Sequence, residues 1–160
     1  MTSLVSITKE NFQPFLQELL EIEELSFASP WSVHALKSEI ENPLSHLWVL
    51  IMGKVTSGYI CFWMFDTEIQ LMSLAVHPHD RGRGLGHYLL KEMIETGISK
   101  GMRQIWLEVR PSNVVAKGLY DRLGFKKMYV RPGYYPDNHE DAIVMSLNLS
   151  EKDPYRAISN

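Results

Sequence analysis

The 160-residue chain has 45% hydrophobic and 22% charged residues and a net charge of −3, values that suit one globular domain of ordinary size. The absence of a long basic run argues against binding to a nucleic-acid backbone. The longest apolar stretch, residues 47–52, is too short to span a bilayer, and residues 1–4 lack the start of a signal peptide. A single cysteine, Cys61, cannot form an internal disulfide, so we expect it to be buried in a cytoplasmic protein.

The N-terminal part of the chain predicts a short strand followed by two helices. Residues 4–7 suit a strand, and Thr8 is a good cap for the first helix. Ser32 offers the same kind of cap to a second helix, which we expect to end near Asn42 because proline follows it. Apolar residues fall at helical spacing in the first helix and are assigned to the core: Phe12, Phe15, Leu16, Leu19 and Ile22.

Strands and helices alternate along the rest of the chain, with turn residues between them. Gly53 joins two antiparallel strands, Gly101 ends the long central helix, and Gly124 ends the helix after it. The strand that begins at Arg103 alternates apolar and polar residues, so we expect one face to be buried. The predicted segments are strands 47–52, 55–65 and 68–76, a helix from residue 86 to residue 100, strand 103–109, helix 113–123, and strands 125–131 and 142–149.

The element order is β-α-α-β-β-β-α-β-α-β-β, which predicts an α/β fold. We expect a mixed, mostly antiparallel central sheet that is covered by helices. Residues 1–150 are predicted to form a single domain and residues 151–160 a C-terminal tail. A loop at residues 132–141 joins the last two strands.

A glycine-rich turn, residues 81–86 with the sequence Arg-Gly-Arg-Gly-Leu-Gly, lies between an apolar strand and the central helix. The first amides of a helix lack intrahelical partners and, with the positive end of the helix dipole, they suit a phosphate. Glycine leaves room for a phosphate to approach the backbone. The spacing lacks the third glycine of the dinucleotide fingerprint, and the chain has no Gly-Lys-Ser/Thr of a P-loop. The turn therefore indicates another phosphorylated cofactor, or a purely structural role.

Four motifs between Leu74 and Phe125 carry a resemblance to a known family. Arg81, Gly84 and Gly86 fit the acyl-CoA signature Arg/Gln-x-x-Gly-x-Gly/Ala. Leu-Glu-Val-Arg at 107–110, Ser-Asn at 112–113 and Leu-Tyr-Asp-Arg-Leu-Gly-Phe at 119–125 follow in order. Over residues 5–149 the chain resembles the GCN5-related N-acetyltransferase (GNAT) superfamily. It most resembles the branch of ribosomal-protein-alanine N-acetyltransferases, the RimI type.

The resemblance implies that acetyl-CoA is the co-substrate. The glycine turn would bind the pyrophosphate through its backbone. The main chain at the end of the preceding strand would pair with the pantetheine arm as a further strand does, and one of its N–H groups could serve as an oxyanion donor. The cofactor-binding residues that the resemblance implies are Leu74, Ala75, Val76, Arg81, Gly82, Arg83, Gly84, Leu85, Gly86, Asn113 and Tyr120.

Acetyl transfer to an amine needs a base for the amine and a proton donor for the leaving thiolate. By resemblance Glu108 is the general base, acting through water, although a glutamate on a strand could instead be solvated. By resemblance Tyr120 is the general acid, although its spacing with apolar neighbours also suits the core. Asn113 could in addition cap the helix that carries Tyr120. With one cysteine and no His-Glu-x-x-His motif, we expect no metal.

The loop at residues 132–141 resembles the substrate loop of the RimI-type branch. Arg131, Tyr134 and Tyr135 would contact the acceptor, and Trp31, in a Pro-Trp-Ser segment, would line the peptide groove. The resemblance thus implies that the acceptor is a protein N-terminus, the alanine of a small-subunit ribosomal protein.

Two other interpretations stay open at the level of sequence. The acceptor could be a lysine, a polyamine or a small-molecule amine. The chain could also bind CoA without catalysis, although the joint presence of Glu108, Asn113 and Tyr120 argues against this. We expect neither nucleic acid nor membrane as a partner, and a monomer or a weak homodimer.

Overall fold

The computed structural model describes residues 2–150, so the predicted tail lies outside the described residues. Two short 3-10 turns, Gln13–Phe15 and Pro78–Asp80, accompany the main elements. Those elements are β1 (Thr2–Ser6), α1 (Leu16–Ser26), α2 (Val33–Glu41), β2 (Ser45–Met52), β3 (Val55–Phe65), β4 (Glu68–Val76), α3 (Leu85–Ser99), β5 (Gln104–Val109), α4 (Val114–Arg122), β6 (Lys126–Arg131) and β7 (Ala142–Asn148).

The seven strands form one hydrogen-bonded sheet in the order β1-β2-β3-β4-β5-β7-β6. β1 pairs with β2, β2 with β3, β5 with β7 and β6 with β7, all antiparallel. β4 and β5 run parallel, with Ile69 opposite Ile105. The predicted mixed and mostly antiparallel α/β fold is confirmed.

The first of two compact units comprises the described residues up to Met64 together with Met72–Lys91. Its core forms because apolar residues at helical spacing in α1 and α2 meet the inward side chains of three strands. The buried residues of this core are Ile7, Leu16, Leu19, Ile22, Leu36, Leu47, Val49, Tyr59, Cys61 and Ala75. Leu16, Leu19 and Ile22 of the predicted core stripe are thus confirmed, whereas Phe12 and Phe15 lie before α1 and are only partly buried against this core.

The second unit comprises Phe65–Leu71 and the described residues from Glu92 onward. In β5 the side chains alternate as predicted, with Ile105, Leu107 and Val109 buried and the intervening residues half-buried. The second half of α3 packs closely here, because a Cβ at Gly97 would stand 2.7 Å from the Cδ1 of Ile69. Glycine at this position therefore lets the helix approach the strand.

Two predicted helix boundaries are confirmed in atomic detail. The Ser32 hydroxyl accepts a hydrogen bond from the Ala35 amide at 3.0 Å and caps α2. Gly101 has a φ of +75°, and the Met102 amide donates to the Gly97 carbonyl at 2.9 Å, which ends α3.

The predicted start of the first helix at Thr8 is wrong. The Thr8 carbonyl accepts from the Asn11 and Phe12 amides, which makes an isolated turn, and α1 begins only at Leu16. Pro14 lies in a 3-10 turn between the two. Because proline lacks an amide hydrogen and fits only at a helix start, the helix begins after it.

Cys61 is completely buried in β3, in agreement with its predicted packing role. Burial raises the pKa of its thiol to about 12. The side chain is therefore a protonated thiol at neutral pH and an unreactive one.

Candidate active site

The glycine turn has the backbone geometry of a helix-start anion site. Gly82 and Gly84 have φ values of +80° and +78°, which side chains other than glycine rarely adopt. The first α3 hydrogen bond runs from the Tyr88 amide to the Gly84 carbonyl at 3.0 Å. The amides of Leu85, Gly86 and the next residue therefore have no intrahelical partner, as a phosphate-binding helix start requires.

The two arginines of the turn are held by nearby groups. The Arg81 Nε donates to the Val76 carbonyl at 2.9 Å, and its Nη2 donates to the Ser26 hydroxyl at 3.1 Å. Arg83 Nη1 lies 3.5 Å from Asp80 Oδ1, in an exposed ion pair. Arg81 thus ties the turn to the end of β4.

The predicted pantetheine-binding end of β4 is anchored to β3. The His77 amide donates to the Ser57 carbonyl at 2.7 Å. Gly58 allows the close approach, because a Cβ there would stand 2.9 Å from the Ala75 carbonyl oxygen. Ala75 is buried, whereas Leu74 and Val76 are half-buried.

Trp31 rests on a buried polar cluster in the first unit. Its amide donates to Glu23 Oε2 at 2.9 Å, and its ring lies 6.0 Å from that of Tyr59. The Tyr59 hydroxyl donates to Glu23 Oε1 and shares a hydrogen bond of 2.7 Å with Ser73. Burial raises the pKa of the Glu23 carboxyl. The cluster fixes the segment between α1 and α2 that carries Trp31.

Glu108 lies in β5 opposite Val144 and is half-buried. Its Oε1 is 3.6 Å from Arg131 Nε. Interaction with this carboxylate raises the pKa of the Tyr134 hydroxyl. The structure therefore brings the predicted base together with two of the predicted acceptor-binding residues.

Aromatic rings and a guanidinium surround this carboxylate. Tyr134 and Tyr135 meet edge to face, with ring centroids 5.1 Å apart. The Arg131 guanidinium lies 5.8 Å from the Tyr134 ring centroid. Tyr135 is more enclosed than Tyr134, and burial raises its pKa to about 12. Such a surface suits a short stretch of peptide with an amine at its end.

Asn113 and Tyr120 are placed by α4. The Asn113 Oδ1 accepts from the Ala116 amide at 3.2 Å, which confirms the predicted cap. Tyr120 is buried, with its ring 5.7 Å from that of Phe125, and burial raises its pKa to about 12. None of the hydrogen bonds formed within residues 2–150 uses the Tyr120 hydroxyl. The ring is therefore a core residue whose hydroxyl has no structural partner in that part of the chain.

Two polar residues, one in each unit, were not assigned a role from the sequence. Arg110 contacts several residues of the loop between β6 and β7, and Glu23 supports Trp31. The acidic Asp137 and Glu140 in that loop were the signal that could have suggested a basic partner for it. Glu23 gave no such signal, because it lies among other glutamates of an amphipathic helix.

The described residues contain neither a metal-binding cluster nor a helix that could span a membrane. Within residues 2–150, no group of three or more His, Cys, Asp or Glu side chains is arranged to hold a metal ion. Among the helices of that range, none is long and apolar enough to cross a membrane.

A glycine turn that opens a helix, next to a half-buried strand end, defines a protein that can bind a phosphorylated ligand through its backbone. The sequence model described as "Acetyltransferase (GNAT) family" matches residues 16–125. The chain therefore belongs to the GNAT family of acetyltransferases, as its motifs predicted. Its activity as an N-acetyltransferase with acetyl-CoA as co-substrate is confirmed at the level of this family.

The chain is also similar to named relatives over most of its length. It is 36% identical over 137 residues to a candidate ribosomal protein bS18-alanine N-acetyltransferase of Bacillus subtilis, covering 85% of this chain and 91% of the relative. It is 37% identical over 131 residues to the ribosomal protein bS18-alanine N-acetyltransferase of Escherichia coli K12, covering 81% and 88%.

A solved structure gives the same result for the fold. The crystal structure of the ribosomal-protein-S18-alanine N-acetyltransferase from Escherichia coli superposes with a TM-score of 0.84 and 31% sequence identity. The superposition covers 93% of this chain and 94% of that one. The predicted GNAT-type fold is thus confirmed.

Proposed function

We propose that the chain transfers the acetyl group of acetyl-CoA to the N-terminal α-amine of a ribosomal protein, the alanine at the start of small-subunit protein bS18. The observation that carries the proposal is the 37% identity to the Escherichia coli enzyme named for this reaction. The ion pair of Arg131 with Glu108 supports it, because it joins a predicted acceptor-binding residue to the predicted base.

The chemistry of the acceptor agrees with a single carboxylate as base. An α-amine has a reference pKa of about 8 and a lysine about 10.4, so near neutral pH a useful fraction of an α-amine is already unprotonated. A lysine side chain would need a much stronger base or a more desolvated site. Glu108, with Arg131 nearby, suits the easier of the two acceptors.

Glu108 removes the proton from the amine, directly or through one water, as the new C–N bond forms at the acetyl carbonyl. The C–S bond to coenzyme A then breaks, and the sulfur leaves as a thiolate. The protein's own share of this step is to hold the amine beside Glu108 and to carry its proton away. Tyr134 and Arg131 would orient the carboxylate for this task.

Tyr120 is the proposed proton donor to the sulfur. Because its pKa is about 12, the phenol keeps its proton across the physiological pH range. A thiol, with a reference pKa near 8.5, is the stronger acid, so a hydrogen bond to the leaving thiolate is the main contribution of the hydroxyl. Asn113, at the start of the same helix, is proposed to contact coenzyme A as well as to cap α4.

The pyrophosphate and the pantetheine arm of the cofactor are assigned to the first unit on the geometry of its turn and strand. The α3 amides and the positive φ values of Gly82 and Gly84 support pyrophosphate binding. The half-buried end of β4 supports pairing with the pantetheine arm. The residues proposed for these two tasks are Leu74, Ala75, Val76, Arg81, Gly82, Arg83, Gly84, Leu85 and Gly86.

We also propose that residues 1–150 act as one acetyltransferase domain and that the protein works in the cytoplasm. The ribosomal substrate in the names of its relatives supports this location. A net charge of −3 supports the absence of a nucleic-acid partner. A monomer or a weak homodimer suffices for the chemistry, and no membrane is proposed to take part.

The acceptor is tested with a synthetic peptide that carries the alanine N-terminus of bS18 and an internal lysine. We expect the α-amine to be acetylated and the lysine to be left unmodified, as located by fragmentation mass spectrometry. Blocking the α-amine with a formyl group should abolish transfer, because only that amine is both accessible and weakly basic. Acetylation of the lysine alone, or of free polyamines alone, would contradict the N-terminal assignment and leave the acetyltransferase activity intact.

Replacing Tyr120 with phenylalanine should lower turnover by about 10- to 100-fold, the loss expected when a hydrogen bond to a charged thiolate is removed. The melting temperature should stay near that of the unchanged protein, because the hydroxyl has no structural partner within residues 2–150. Tyr59→Phe is the contrasting variant, since its hydroxyl bonds the buried Glu23 and its loss should cost about 1–3 kcal/mol of stability. A collapse of stability in Tyr120→Phe would instead assign its hydroxyl to the core.

A further inference from the structure

The loop between β6 and β7, residues 132–141, is called the acceptor loop here. Inside it, the Tyr135 amide donates to the Glu140 carbonyl at 3.1 Å and the His139 amide to the Tyr135 carbonyl at 2.8 Å. His139 has a φ of +58°, an uncommon value for a residue with a side chain. These bonds close the loop on itself but do not fix where it stands relative to Glu108.

Arg110, which follows the C-terminal end of β5, contacts four residues of the acceptor loop. Its guanidinium lies 3.8 Å from the Tyr135 ring centroid, a stacked cation–π contact. Its Nη2 donates to Asp137 Oδ1 at 2.9 Å. Its Nη1 donates to Asn138 Oδ1 at 3.1 Å and to Glu140 Oε1 at 3.3 Å. One side chain thus joins the middle of the loop to the strand that carries Glu108.

Glu140 provides a second attachment from the loop to the same segment. Its Oε2 accepts from the Ser112 amide at 2.8 Å, and its Oε1 accepts from the Ser112 hydroxyl at 2.9 Å. These bonds and Arg110 lower the pKa of Glu140, so it stays a carboxylate near neutral pH. The carboxylate therefore bridges Arg110 and Ser112 on one side of the loop.

The chemistry of Arg110 is specific to arginine. The flat face of a guanidinium can stack on an aromatic ring while the N–H groups at its edges donate hydrogen bonds in fixed directions. The ammonium group of lysine cannot do both. Exposed ion pairs contribute little to global stability, and the Arg110 side chain is 27% exposed. We therefore expect the network to fix the position of the acceptor loop and to contribute little to the free energy of unfolding.

We propose that Arg110 is a positioning residue that holds the acceptor loop so that Tyr134 and Tyr135 present the acceptor amine to Glu108. This inference rests on the proposed N-terminal acetylation. Arg110 does not touch the reacting atoms and acts through Tyr135, Asp137 and Glu140. Without the hydrogen bonds of the guanidinium and its stacking on Tyr135, Glu108 would stay in place. The residues that bind the acceptor would no longer be held.

The test compares Arg110→Lys with Arg122→Lys, a matched change at an exposed arginine of α4. For Arg110→Lys we expect the KM of the peptide to rise by about 10- to 100-fold, the scale on which misplacement of reacting groups acts. The KM of acetyl-CoA should stay within about twofold, because the change lies in the acceptor-binding part. Arg122→Lys should match the unchanged protein in both.

Hydrogen exchange of the loop amides gives a readout that needs no acceptor. In Arg110→Lys the protection of the Tyr135 and His139 amides should fall by about tenfold or more, while β5 keeps its protection. A double-mutant cycle with Glu140→Gln should be non-additive, because both changes break one network.

Unchanged exchange in Arg110→Lys would overturn the proposal, whatever the acceptor is. Loss of protection with an unchanged peptide KM would also overturn it, since the loop would then be loosened without effect on the acceptor. If the unchanged protein acetylates no N-terminal peptide, the proposed function fails instead. The exchange experiment then still decides whether Arg110 holds the loop.

Discussion

Replacing Glu108 with glutamine should lower the turnover of peptide acetylation by ~10²–10⁴-fold, the usual contribution of a general base. Glutamine keeps the size of the side chain, and the hydrogen bonds that hold the acceptor loop come from Arg110 and Ser112, so the loop should stay in place. It cannot take a proton from the amine. We therefore expect turnover, measured with saturating peptide and acetyl-CoA, to carry nearly all of the loss.

The control for this variant is Glu68→Gln, which makes the same change at the exposed first residue of β4. Both variants should bind acetyl-CoA in calorimetry with the affinity of the unchanged protein. Near-full activity of Glu108→Gln from pH 7 to pH 9 would show that Glu108 is not the base. In that case the acceptor would have to enter already unprotonated, with water as the proton acceptor.

Much of the fold could be predicted because it depends on local chemistry. Ser32 caps a helix with its own hydroxyl, and Gly101 ends one because it adopts a positive φ without a steric penalty. The alternation of buried and half-buried side chains in β5 could be predicted for the same reason, because only one face of the strand has to be apolar. In each case the residues that decide the structure are close together in the sequence.

The start of α1 could not be placed from one residue. Thr8 has the chemistry of a cap, and its carbonyl does accept two turn hydrogen bonds. Pro14, however, decides where the helix begins, because a proline in the second turn would remove a hydrogen bond and clash with the preceding turn. Pro14 could be read from the sequence, and its effect on where the helix begins is stronger than that of the Thr8 cap.

The residues of the candidate site were predicted from motifs, but their contacts were not. The Glu108–Arg131 ion pair joins segments that are distant in sequence. The Arg110 network depends on an acceptor loop in which His139 has a positive φ, a conformation that the sequence does not specify. Motifs therefore identified the chemistry, whereas tertiary packing determined how the groups meet.

Replacing Gly84 with valine should weaken acetyl-CoA binding by about 10- to 100-fold, the loss expected when one or two charge-assisted hydrogen bonds to phosphate are broken. Gly84 has a φ of +78°, so a branched side chain would force the turn into another conformation and move the first α3 amides. Apart from Gly84 and its two chain neighbours, no heavy atom of residues 2–150 lies within 4 Å of the added Cβ, so a clash with a packed neighbour is not the cause. Calorimetric titration with acetyl-CoA measures the change.

Gly53→Val separates backbone strain from the loss of a binding site. Gly53, in the turn between β2 and β3, has a φ of +66° and equally open space around its missing Cβ. Both variants should therefore lose a similar stability, of about 1–2 kcal/mol, from forcing a side chain into the left-handed region. Only Gly84→Val should also lose affinity. Equal affinity in the two variants would mean that the glycine turn does not bind the pyrophosphate, because the same strain would then have left the cofactor site intact.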